Sequence, residues 1–94
     1  MSKSIQADDI TIHELPEGQS LPMELLLMAD PNEEQIKTYI DHCIVVIAVL
    51  NKKTIGVMAM SPETKEKAEI RNIAIAPSHS GKGFARKLLQ DAFD

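Results

Sequence analysis

The stretch AEIRNIAIAPSHSGKGFARKLLQDAF, residues 68–93, reads as a strand, a glycine-bearing turn and a helix in immediate succession. The predicted strand covers residues 68–76, the turn residues 77–83 and the helix residues 84–93. Side chains two apart in a strand point the same way, which would place Glu69, Arg71, Ile73 and Ile75 on one face. Phe84, Leu88, Leu89 and Phe93 recur at helical spacing and form one apolar stripe to pack on a sheet. Between the two elements lie small residues and glycines, where the helix begins. The free backbone N–H groups and the positive dipole end make that point a site for an anion, most naturally a phosphate.

Upstream of this unit, residues 43–50 (CIVVIAVL) form a continuous apolar run, the pattern of a strand covered on both faces. Asn51, Lys52 and Lys53 turn the chain and residues 54–60 return it, an antiparallel hairpin. Gly56 lies where another backbone or a ligand can approach closely. Residues 61–67 form a charged, solvated loop. Before the hairpin, Asp30, Pro31 and Glu33 open a helix with an acidic cap, a proline at the first position and a glutamate at the third. Ile36, Tyr39 and Ile40 form its buried stripe, with the Tyr39 hydroxyl expected at the rim and Lys37 and Asp41 in water. An earlier helix takes Ser20 as its cap and Pro22 in its first turn. Residues 23–28 are apolar nearly all round, so that helix must be enclosed or lean on a partner. Residues 10–15 read as a first strand, ended by Pro16, Glu17 and Gly18, and residues 1–9 as a polar lead-in. The order is β-α-α-β-β-β-α, an α+β layer with the last helix packed across a meander.

Ninety-four residues make one domain, spanning 1–94, near the lower end of what buries an adequate core. Aromatic residues are 3% of the chain and Trp is absent, so the core must be aliphatic and methionine-filled. A formal charge of −4 argues against a nucleic-acid surface, which needs a basic footprint. Cys43 is the single cysteine and is expected as a buried structural thiol. His13 has no second ligand at metal spacing, so no metal site is expected there. The apolar run at residues 43–50 is too short to span a bilayer, and the N-terminus has no signal-peptide pattern, which predicts a cytoplasmic, reducing setting.

Residues 69–77 (EIRNIAIAP) and 80–89 (SGKGFARKLL) resemble the GNAT superfamily of N-acetyltransferases. That family's pyrophosphate loop reads Gln or Arg, two variable residues, Gly, one variable residue, then Gly or Ala. Ser80, Gly83 and Ala85 stand at the first, fourth and sixth positions. Ser80 departs from the pattern by losing one long polar side chain, and the small residues that set the backbone remain. The preceding order of elements also agrees, so the resemblance covers most of the chain. It implies a GNAT-like mixed sheet and acetyl-CoA as co-substrate. It also implies that the backbone of Ile73, Ala74 and Ile75 faces the pantetheine arm. Around the pyrophosphate it implies the N–H groups of Gly81, Lys82, Gly83, Phe84, Ala85 and Arg86, with the charges of Lys82 and Arg86 nearby. Glycine and alanine at these positions let phosphate oxygens reach backbone donors that larger side chains would screen.

The reaction the resemblance implies is transfer of acetyl to a primary amine, which must lose a proton before it attacks a thioester. Glu69 stands where some members place a general base, and a carboxylate at the mouth of a partly desolvated cleft can be tuned for that role. Pairing with Arg71 or Lys67 in solvent is its other reading. The backbone N–H near Ile75 is a candidate to polarise the thioester carbonyl. The family continues beyond this helix into a further strand and helix, and that part usually holds the tyrosine that protonates the leaving thiolate. The chain is therefore expected to be truncated before the C-terminal strands, with the strand at residues 68–76 as an open edge. A homodimer through that edge is the expected cover. Two functions follow: an N-acetyltransferase completed by further chain or a partner, or a non-catalytic acyl-CoA-binding or dimerising module on half of the fold.

Overall fold

The computed structural model describes residues 10–64 and 67–93, with the side chains of residues 92 and 93 excepted. The polar lead-in and most of the Lys65–Glu66–Lys67 charge run fall outside the described residues, as does the Phe93 side chain. Strand β1 is Thr11–Glu14, helix α1 Met23–Ala29 and helix α2 Glu33–Tyr39. A 3-10 turn at Ile40–His42 leads into β2, Ile44–Leu50, then β3, Lys53–Pro62, and β4, Ala68–Ile75. A second 3-10 turn, Pro77–His79, leads to α3, Phe84–Phe93. The four strands form one sheet in the order β1-β2-β3-β4, antiparallel at each of the three pairings. The α+β class and the element order match the expectation from sequence.

The apolar run of β2 is continuous because the sheet is covered on both faces. Val45, Ile47, Val57, Ala59 and Ala74 meet Leu25 and Leu26 of α1 and Ile36 of α2 on one side. Val46, Ala48, Leu50, Met58 and Met60 meet Phe84 and Leu88 of α3 on the other. Side-chain alternation explains the split, since Ile47, Val57 and Ala74 lie in one row across three strands and Val46, Met58 and Ile73 in the next. Small Ala59 and Ala74 lie under α1 and α2, while Met58 fills the α3 side. The nearly all-apolar α1 is resolved by burying Leu25 and Leu26 and leaving Met28 about half exposed. Burial of each such leucine contributes about 1.5–3 kcal/mol.

The hairpin turn is tighter than the sequence reading. Leu50 pairs with Lys53 across a two-residue loop, and Asn51 and Lys52 have φ of 51° and 67°. Two left-handed residues in a two-residue loop match the right-handed twist of the flanking strands. The helix starts are corrected. Ser20 does not cap α1, which begins after Pro22, and the Pro22 carbonyl accepts from the N–H groups of Leu25 and Leu26. Helix α2 is capped by Asn32, whose Oδ1 accepts from the Gln35 N–H at 3.2 Å. Asp30 instead accepts from the Asn32 N–H at 3.3 Å, two residues before the cap. Asparagine and aspartate bond equally well to a nearby N–H, so the pattern alone does not choose between them.

The face assignment of β4 is also corrected. Asn72 pairs with Ala59 and Ile70 with Met60, which leaves Arg71 as an extra residue, a β-bulge. The bulge ends the simple alternation. Ile73 and Ile75 face α3, whereas the Arg71 guanidinium lies over the Tyr39 ring on the α1 and α2 side.

Candidate functional site

The site is built along the open edge of β4. The Ala76 N–H donates to the Ile55 carbonyl at 2.7 Å, which makes Ala76 and Ile55 a directly bonded pair in the β3–β4 ladder. Such pairs alternate along antiparallel strands, so Ala74 and Asn72 turn their backbone groups toward Val57 and Ala59. The N–H and C=O groups of Ile73 and Ile75 then point out of the sheet, away from β3. Ala74, one of the three residues expected along the pantetheine arm, buries its side chain in the core and directs its backbone inward. Ile73 and Ile75 are the two that present free groups.

Beyond Ile75 the chain closes a short turn. The Ser80 Oγ donates to the Pro77 carbonyl at 3.1 Å, so the residue that departs from the family pattern spends its hydroxyl on the turn itself. Ser78 Oγ and His79 Nδ1 are 2.8 Å apart, and the His79 ring packs 6.1 Å from that of Phe84. Gly81 and Gly83 have φ of 77° and 83°, and a Cβ at either position would meet nothing within 4 Å. Glycine is needed here because the backbone is left-handed, and the space it faces is open.

The first α3 bond runs from the Lys87 N–H to the Gly83 carbonyl. The amides of Phe84, Ala85 and Arg86 therefore have no acceptor within the helix and face outward at its positive end. The Phe84 side chain is buried and anchors this end of α3 to the sheet, while Lys82, Ala85 and Arg86 are exposed around the loop. Glycine loop, helix start and free strand edge are thus continuous. Donors arranged this way suit a group that is anionic at the loop end and extended along the strand.

Glu69 lies at the opposite end of β4, six residues from Ile75, or roughly 20 Å at strand rise. It is exposed, and its Oε2 sits 3.4 Å from Arg71 Nη1. Cys43 is half-buried and packs against the same side of the sheet. Burial pushes its thiol pKa up, and the Arg71 guanidinium partly offsets that rise.

Asn72 and Tyr39 were not singled out from sequence as site residues. Asn72 is 4% exposed and closes the otherwise apolar row Val45–Ala59–Asn72. Its Nδ2 donates to the Leu26 carbonyl at 3.0 Å and to the Tyr39 hydroxyl at 3.1 Å. That hydroxyl donates in turn to Asp30 Oδ2 at 3.5 Å, so the Tyr39 ring is buried while its hydroxyl links buried Asn72 to half-buried Asp30. The Leu26 carbonyl can only accept, which fixes the orientation of the Asn72 amide and leaves Oδ1 buried without a partner. One signal was available in the sequence: an asparagine inside an otherwise apolar strand segment, residues 72–76.

Among the described residues, no group of three or more His, Cys, Asp or Glu could hold a metal ion. No described helix is long and apolar enough to cross a membrane.

The arrangement is that of an α+β fold with a glycine-bearing loop and a helix start at the end of an edge strand. The chain belongs to the Acetyltransferase (GNAT) family, which matches over residues 10–94. It is 31% identical over 71 residues to the uncharacterized N-acetyltransferase YvbK of Bacillus subtilis, covering 76% of this chain and 46% of that protein. It superposes on a GNAT family acetyltransferase from Elizabethkingia anophelis with acetyl-CoA bound, at a TM-score of 0.84 and 38% identity, over 90% of this chain and 56% of that one. The IAA acetyltransferase from Bacillus cereus matches at 0.79 and 37%, over 88% and 55%. The chain therefore spans about half the length of these relatives.

Proposed function

We propose that this chain holds acetyl-CoA along the open edge of β4 and serves an N-acetyltransferase that acetylates a primary amine. The observation that carries this reading is the continuity of two donor sets. The outward backbone groups of Ile73 and Ile75 run directly into the Gly81–Gly83 loop and the first amides of α3. The bound Elizabethkingia relative, similar over 90% of this chain, supports the same ligand. The residues present fit it: both loop glycines face open space, and the strand edge is unobstructed by β3.

Acetyl-CoA supplies an acyl thioester. The Gly81, Lys82, Gly83, Phe84, Ala85 and Arg86 amides hold the pyrophosphate, with Lys82 and Arg86 neutralising its charge. Ile75 and Ile73 orient the arm, and the outward N–H of Ile73, at the end of the arm nearer Glu69, is positioned to donate to the thioester carbonyl. The amine nitrogen forms the new C–N bond as the C–S bond breaks, and the nitrogen gives up one proton. Glu69, further along β4, accepts that proton through intervening water, and the departing thiolate takes one from a donor outside this chain's assigned residues. Holding both reactants on one edge supplies much of the acceleration.

Among the described residues β4 ends the sheet, and in the absence of coenzyme we place a second copy of the chain on the same outward groups of its edge, in a reducing cytoplasmic setting where Cys43 stays free. A strictly monomeric mass in solution refutes that pairing. The coenzyme reading is tested by titrating acetyl-CoA calorimetrically into the protein and its Gly83→Glu variant. The variant is expected to bind on the order of 100-fold more weakly, because a carboxylate faces the phosphates from a strained left-handed residue. Equal affinity in a folded variant removes the loop from the site. Binding without turnover of any amine supports a non-catalytic coenzyme-binding module instead.

A further inference from the structure

We propose that the acceptor amine carries a carboxylate, and that Arg71 is the residue that recognises it. The inference rests on the proposed acetyl transfer to an amine. A ligand laid along β4 from the glycine loop past Ile75 and Ile73 brings its reactive end to the bulge, where Arg71 and Asn72 lie on the α1 and α2 side. Bulges re-aim side chains, and here the bulge turns a guanidinium away from α3 toward that end of the edge.

Arg71 is set in place before any ligand arrives. Its guanidinium lies 5.3 Å from the centroid of the Tyr39 ring, and Tyr39 is itself locked by Asn72 and Asp30. Glu69 holds Nη1 through one oxygen at 3.4 Å, with both side chains substantially exposed. An exposed single-oxygen pair is weak, so it exchanges readily for a bidentate carboxylate on the planar fork. Stacking on Tyr39 is independent of that exchange and keeps the fork oriented.

The other charged groups around it are acceptors. Glu69 and Asp30 are carboxylates, and Asn72 Oδ1 is a buried acceptor without a partner. One cation among acceptors complements a ligand with one carboxylate and an ammonium or amine N–H nearby. A plain alkylamine would leave Arg71 to Glu69 and hold the proposed base in an ion pair. An aminocarboxylate frees Glu69 as it binds.

The test compares matched acceptors with the protein and acetyl-CoA: phenylalanine against phenylalaninamide and phenethylamine, and lysine against cadaverine. The carboxylates are expected to show a kcat/KM on the order of 10- to 100-fold higher, expressed mainly in KM. Arg71→Ala is expected to collapse that ratio toward one, and Arg71→Lys to restore only part of it, since an ammonium lacks the fork. Calorimetric titration of phenylalanine into the protein and the Arg71→Ala variant reads the same contact without turnover. Turnover of amines with no preference for the carboxylate, or a preference that survives Arg71→Ala, overturns the inference and leaves the acetyltransferase reading standing. Acetyl-CoA binding with no turnover of any amine overturns both.

Discussion

Gly56 sits where the edge strand, the central strands and α3 meet, and replacing it with alanine probes that junction directly. A Cβ at this position would lie 2.7 Å from Ile75 Cδ1, 3.3 Å from the Ala48 Cβ and 3.4 Å from Leu88 Cδ1. Ala48 and Leu88 are fully buried, so two of the three neighbours have no solvent to move into. The Ile75 Cδ1 is the end of a flexible chain and must rotate or carry the strand with it. Overpacking of this kind costs about 1–3 kcal/mol. Replacing a strand glycine with alanine returns roughly 0.5–1 kcal/mol of chain entropy. A net loss of up to about 2.5 kcal/mol, centred on about 1, follows, and each kcal/mol lowers Tm by about 4–8 °C in a domain of this size. The decisive measurement is a double-mutant cycle by urea unfolding. Ile75→Val removes the clashing methyl and alone costs about 0.5–1.5 kcal/mol. Combined with Gly56→Ala, the two losses are expected to fall short of their sum by about 1 kcal/mol, because the main clash is gone. Losses that add within about 0.5 kcal/mol refute the claim that Ile75 limits the space above Gly56.

Three further outcomes are expected. Glu69→Gln should lower kcat by about 100-fold and remove the acidic limb of the kcat/KM profile, since an amide cannot take the amine proton; an unchanged profile leaves Glu69 as a partner of Arg71 alone. Asn72→Leu should change stability by less than about 1 kcal/mol in chemical denaturation, because the Leu26 carbonyl keeps the Asp30 N–H and Tyr39 keeps Asp30, while a buried unpartnered oxygen is removed. Asn72→Ala, which leaves a cavity, should be the less stable of the two, and the reverse order would show that the amide bonds dominate. For Cys43, iodoacetamide alkylation followed against pH should have a midpoint above that of an ordinary thiol, moving further up in Arg71→Ala. The neutral thiol is favoured in the folded state. Its contribution to stability is therefore present below the unfolded thiol pKa and lost as pH rises through the raised folded one. A midpoint below the ordinary value contradicts the desolvation.

Much of this protein is legible from local pattern. The apolar run CIVVIAVL announces a strand covered on both faces, because only a doubly covered strand has no polar side to show, and the structure buries Val45 and Val46 on opposite faces. The stripe Ile36, Tyr39, Ile40 and the α3 residues Phe84 and Leu88 are buried as their spacing requires. The glycine loop is likewise local, since glycine adopts the left-handed backbone of Gly81 and Gly83 without the Cβ penalty that other residues meet. Helix caps are less secure: Asp30 and Asn32 compete for one role, and a difference of two residues in where the helix starts decides between them.

The placement of Arg71 is a tertiary product. Strict alternation puts Arg71 with Ile73 and Ile75, and nothing in residues 68–76 announces the extra residue that breaks it. The bulge is set by the register of β4 against β3, a property of two strands together. Which edge groups are free depends equally on pairing, because Ala76 bonded to Ile55 fixes the parity that turns Ile73 and Ile75 outward and Ala74 inward. The Asn72–Tyr39–Asp30 relay joins three separate elements. Sequence by itself determined the elements, the two-faced core and the anion loop, since these depend on neighbours three or four residues away. Only the tertiary structure decided how β4 is edged and what its bulge presents, because hydrogen-bond parity and strand register exist only between segments that the chain has brought together.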